Sequence, residues 1–177
     1  FLLVSQHPVT TEYGKNRTHM KETLLVLNEL KMPTVMLWPN PDAGSDEIAT
    51  EIRIFREKEN PKWIHVFKNL PFEIFIKLMD RAAVVIGNSS APIREGAILG
   101  VPTVNIGTRQ QGRLRGKNVI DVPYDSSAIL KAVKKQLNHG KYEPEYIYGD
   151  GKAGERIVRI LKEIDLDKVP IQKIINY

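Results

Sequence analysis

Short β-rich runs alternate with stretches of helical period along nearly the whole chain, and this alternation constrains the fold more than any other feature. The candidate strands are Phe1–Gln6, Thr34–Trp38, Ile64–Phe67, Ala83–Ile86, Thr103–Ile106 and Val119–Val122. Most are almost continuously apolar, as strands must be when helices cover both faces of a sheet. Between and after them, apolar residues recur at helical spacing in five stripes: Met20, Leu24, Leu27 and Leu30; Ile48, Ile52 and Phe55; Phe72, Phe75, Ile76 and Met79; Ile129, Leu130, Val133 and Leu137; Ile157, Ile160, Leu161 and Ile164. The last two stripes predict helices that close the fold at its C-terminal end. Right-handed crossovers then make an open, doubly wound parallel α/β sheet the simplest arrangement, with ligands expected beyond the carboxyl ends of its strands.

A chain of 177 residues suffices for one domain, and residues 1–177 are read as a single one. The formal charge of +5 suits an anionic small ligand as well as nucleic acid and does not separate them. With no cysteine the fold must rest on apolar burial, as in a reduced cytoplasmic protein, and no apolar run approaches the length of a membrane span. The chain enters an apolar run directly at Phe1 without an initiating Met, which reads as part of a longer protein. No glycine-rich dinucleotide or Walker loop, hydrolase elbow or metal-ligand spacing is present, so no cofactor and no metal are expected.

The segments that follow the strands carry the chemistry. Gly87-Asn88-Ser89-Ser90 ends a buried strand, and Pro92 suits the first position of a helix whose N-terminus would favour an anion such as a diphosphate. The same serines also fit an ordinary helix start. Glu95, expected in the first helical turn, suits either the helix dipole or the hydroxyls of a ribose. The loop from Thr108 to Lys117 carries four basic side chains, of which Arg109 is nearest the strand end and best placed to close over phosphate. His7 also follows a strand, whereas His19, His65 and His139 show no partner in the sequence.

Together, Gln6-His7-Pro8-Val9-Thr10-Thr11, Pro39-Asn40-Pro41-Asp42-Ala43-Gly44-Ser45, Leu70-Pro71-Phe72, Gly87-Asn88-Ser89-Ser90 with Arg94-Glu95, and Val101 through Gln110 resemble, in order, the hydrolysing UDP-N-acetylglucosamine 2-epimerases. The resemblance runs from His7 to about Asp150. It implies two Rossmann-like domains in a GT-B-type architecture, with this chain as the C-terminal, UDP-binding half and an N-terminal domain as its missing partner. Ser89 and Ser90 would hold the diphosphate, Glu95 the ribose, Leu70 the uracil through its backbone, and His7, Asn40 and Arg109 the remaining nucleotide contacts.

The reaction so implied removes the proton at sugar C2 as UDP leaves, then adds water to give free N-acetylmannosamine. His7 and Arg109, expected at exposed strand ends, would stabilise the departing diphosphate. The groups that move protons at C2 would belong to the other domain, so the isolated chain is expected to be inactive. The resemblance also implies a homo-oligomer for the full-length protein, with neither nucleic acid nor membrane as partner. Ala91-Pro92 departs from the small pair common in the family. The helix from Asp46 is too acidic for the feedback site of animal members. A non-hydrolysing epimerase, a GT-B glycosyltransferase nucleotide domain and a non-catalytic UDP-binding module are the alternatives.

Overall fold

A computed structural model describes residues 1–170 and 172. These form two units, Phe1–Ile147 and a second that begins at Tyr148. The first contains β1 (Leu2–Ser5), α1 (Asn16–Leu30), β2 (Thr34–Leu37), α2 (Ser45–Glu59), β3 (Ile64–Phe67), α3 (Phe72–Arg81), β4 (Val84–Gly87), α4 (Ala91–Leu99), β5 (Thr103–Ile106), β6 (Val119–Val122) and α5 (Ser126–His139). The second contains α6 (Ala153–Glu163) and a short 3-10 turn, Leu166–Lys168.

All strand pairs are parallel, in the order β3-β2-β1-β4-β5-β6. The doubly wound, Rossmann-like sheet expected from the periodicity is present. Burial follows strand position: β1, β4 and β5 are buried throughout, while the edge strands β3 and β6 are not. Side chains alternate across the sheet. Leu2 and Val4 of β1 enter a large core with Met20, Leu24 and Leu27 of α1, Ile48 and Ile52 of α2, and Ile129 and Val133 of α5. Leu3 enters a smaller core on the other face with Met79, Val85 and Val101.

α6 forms where its stripe predicts a helix, yet none of its residues is buried. Its stripe is periodic without being covered, since periodicity supplies an apolar face without supplying the surface that buries it.

The order of the sheet reverses between β1 and β4, so the loops after these strands diverge and leave a crevice. The two strand ends pack unusually closely there. A Cβ on Gly87 would lie 2.2 Å from the Ser5 carbonyl oxygen, and Gly87 has φ +136°. Only glycine permits both the contact and the turn.

Candidate functional site

Asn88, immediately after Gly87, ties the strand-end loops together. Its side-chain oxygen accepts from the His7 backbone N–H at 2.7 Å and its side-chain nitrogen donates to the His7 carbonyl at 2.8 Å. Its backbone N–H donates to the Ser5 carbonyl at 3.1 Å. Its own carbonyl accepts from Gln110 Nε2 at 2.8 Å and from Arg109 Nη1 at 3.2 Å. One buried residue thus joins the loops after β1, β4 and β5. The Arg109 guanidinium also lies 3.9 Å from Asp42, bringing in the loop after β2.

His7 is buried, not exposed as expected of a strand-end residue. Its Nδ1 accepts from the Asn40 backbone N–H at 3.1 Å, and its Nε2 lies 3.2 Å from Ser5 Oγ. Burial, reinforced by the Arg109 charge and opposed by Asp42, pushes its pKa down to about 4. The ring is therefore neutral at pH 7. Because Nδ1 is an acceptor, the proton sits on Nε2, facing Ser5. His7 cannot take a proton from Ser5 through that nitrogen, which excludes a serine–histidine nucleophile.

His7, Asn40, Leu70 and Ser89 come together in one cleft of about 290 Å³, whose wall also includes Ser5, Trp38, Lys68, Phe72 and Phe75. Arg109 lines a second hollow of about 480 Å³ with Pro8, Asp42 and Thr108. Ser90 and Glu95 line neither. α4 starts at Ala91, so Pro92 is its second residue and Glu95 lies beyond the first turn, both one step later than expected. Ser90 precedes the helix without a side-chain capping bond, while Ser89 Oγ accepts weakly from Ala91 N at 3.5 Å.

Arg115 of the Thr108–Lys117 loop is drawn away by Asp121 at 2.6 Å and the Gln110 carbonyl at 2.8 Å, which leaves Arg109 as the cation that reaches Asn88. Gly107 lets this loop turn: at φ +75°, a Cβ there would lie 2.1 Å from the Tyr124 ring. His19 has partners after all, stacking on Tyr124 at 3.5 Å with its Nδ1 3.5 Å from Glu12. Burial and the Glu12 charge push the Tyr124 hydroxyl up to about 12. His139 stacks on Tyr142.

A larger surface hollow of about 510 Å³ lies among Arg53, Arg56, Asn60 and Ile64. Ile64 begins β3, so this hollow is at the amino edge of the sheet, and size does not outweigh position there. Among the described residues no group of three or more His, Cys, Asp or Glu could hold a metal ion. No helix among them is long and apolar enough to cross a membrane.

A family model described as UDP-N-acetylglucosamine 2-epimerase matches residues 1–162. The chain belongs to that family. It is 31% identical over 170 residues to a UDP-N-acetylglucosamine 2-epimerase of Neisseria meningitidis, covering 94% of this chain and 44% of the relative. It is 32% identical over 171 residues to a hydrolysing UDP-N,N'-diacetylbacillosamine 2-epimerase of Legionella pneumophila, covering 97% and 45%. The structure superposes with a TM-score of 0.69 on the Methanocaldococcus jannaschii UDP-GlcNAc 2-epimerase solved with UDP-GlcNAc and UDP. That match has 23% identity and covers 92% of this chain and 45% of the neighbour, so it speaks for the fold. The chain spans about half the length of the relatives it matches.

Within this epimerase fold, sequence reasoning missed Ser5, Asn88 and Gln110 as site-building residues. Asn88 lay inside a quoted motif, but its bonds to His7 span 81 positions and leave no local signature. Trp38, Phe72 and Phe75 looked like core residues; their place in the cleft wall emerges only when the ends of β2 and β3 are set side by side.

Proposed function

We propose that the chain is the C-terminal, UDP-binding half of a hydrolysing UDP-N-acetylglucosamine 2-epimerase. The full-length enzyme would release UDP and N-acetylmannosamine in the cytoplasm for sialic-acid-type biosynthesis. The convergence of His7, Asn40, Leu70 and Ser89 on one cleft at the switch point carries this proposal. The aromatic wall suits a base, and the start of α4 suits a diphosphate. Leu70 would meet uracil with its backbone; its N–H already donates to Asn69 Oδ1 at 2.9 Å, which leaves the carbonyl as the simpler contact. Glu95 would take the ribose hydroxyls, and Ser90 would join Ser89 at the diphosphate.

In that role Arg109 supplies positive charge to the departing diphosphate. His7 contributes as a neutral, oriented ring, because its lowered pKa denies it a positive charge at pH 7. Proton transfer at C2 falls to the other half and to closure of the cleft, so this chain alone would bind UDP without turnover. The hydrolysing subtype draws support from the Legionella relative's name.

Calorimetry should show UDP binding more tightly than uridine, and Glu95→Ala should weaken UDP by on the order of 1–3 kcal/mol. Equal affinity of that variant and the parent, both folded, would remove Glu95 from the site. Incubation of the full-length polypeptide with UDP-N-acetylglucosamine should yield free N-acetylmannosamine and UDP. UDP-N-acetylmannosamine as the product would assign the non-hydrolysing reaction instead.

A further inference from the structure

The hydrogen bonds around His7 have a direction, and that direction reaches a residue with no assigned role. At the head of the chain is the Asn40 backbone N–H, which can only donate and which sits 3.1 Å from His7 Nδ1. A neutral imidazole that accepts at Nδ1 carries its proton on Nε2. Nε2 faces Ser5 Oγ at 3.2 Å, so the serine oxygen accepts. The Ser5 hydroxyl proton is thereby turned away from His7, and among the described residues Ser5 Oγ has no other hydrogen-bond partner. Ser5 is 2% exposed, so a wasted donor there would be costly. Ser5 nonetheless lines the cleft, together with His7, Asn40, Lys68 and Ser89.

We propose that the Ser5 hydroxyl donates a hydrogen bond to a diphosphate oxygen of the bound nucleotide, with His7 as the group that orients it. This rests on the UDP-binding reading above. The diphosphate is the fitting acceptor because Ser89, which leads into α4, and Lys68 line the same cleft. Both favour an anion, and neither selects a neutral sugar or base. Ser5 is rigidly held for this purpose: its carbonyl accepts from Asn88 N at 3.1 Å, and its backbone pairs with Gly87. His7 then acts on the ligand through Ser5, which explains how a buried ring with both nitrogens engaged contributes to binding.

Titration calorimetry of the full chain with UDP and with uridine tests the assignment. Ser5→Ala should weaken UDP by on the order of tenfold while leaving uridine within about twofold of the parent. Ser5→Thr, which keeps the hydroxyl, should restore UDP binding. Nitrogen-15 NMR of the parent should show the Nε2-protonated tautomer of His7, a readout that needs no variant. A Ser5→Ala chain that binds UDP like the parent would overturn the inference, as would equal losses for UDP and uridine. The Nδ1-protonated tautomer would overturn it too, because Ser5 would then be spending its proton on His7. A parent that binds UDP no better than uridine would instead sink the UDP-binding reading, and this inference with it.

Discussion

Helices α5 and α6 carry the same kind of apolar stripe and end in opposite surroundings. In α5, Ile129 and Val133 are fully buried against the sheet. In α6, Ile157, Ile160 and Leu161 are 55%, 59% and 65% exposed. Their starts differ as well. Asp125 caps α5 by accepting from Ala128 N at 2.8 Å, whereas α6 follows Lys152 with no side-chain cap and has beside its start an exposed Arg156–Asp150 pair at 2.6 Å. Such a pair adds little, and a helix of 11 residues is marginal in water without a packed face. Amphipathic spacing therefore shows that a helix has something to bury; stability comes from the surface that buries it.

The comparison can be broken most directly at α5. Ile129→Ala should cost about 2–5 kcal/mol in urea unfolding, because it removes a fully buried side chain from the larger core. A loss no greater than that of an exposed residue would show that the α5 stripe is as idle as that of α6.

Burial acts on polar groups too, and pH sharpens the contrast. Folded His7 releases its proton near pH 4, while an unfolded histidine does so near 6.5. Between these values the unfolded chain binds more protons, so the His7 contribution is complete above pH 6.5 and falls as pH drops towards 4. It amounts to about 3 kcal/mol. Denaturant titrations across this window should show the decline in the parent and a shallower one in His7→Gln.

Asn88→Ala comes next, at on the order of 1–3 kcal/mol, since it strands the His7 N–H and carbonyl in a buried site. It should also weaken UDP binding, through the lost registration of His7. Unchanged stability and unchanged binding would refute the role of Asn88 as the tie between loops. The smallest effect belongs to α6: Leu161→Ala should change stability by less than about 0.5 kcal/mol in this chain. A larger loss would mean that the α6 stripe is covered after all.

The candidate site was legible in proportion to how local its signals are. Gly87-Asn88-Ser89-Ser90 announced a turn into a helix, and the structure supplies one, displaced by a residue because helix entry depends on backbone angles that composition leaves free. His7 was found as a strand-end residue, but its neutrality comes from burial and the Arg109 charge, and its tautomer from Asn40, groups that lie far along the chain. Ser5 looked like the tail of a strand.

By itself, the amino-acid order determined which segments are strands and which are helices, and that the sheet is parallel. Those properties arise from side-chain period and chain connectivity, which are local. Only the tertiary structure decided that α5 is buried and α6 is not, that His7 is a neutral donor facing Ser5, and that Asn88 joins three loops. Burial, protonation state and hydrogen-bond direction are set by groups brought together from distant positions, and no short stretch of sequence contains both halves of such a contact.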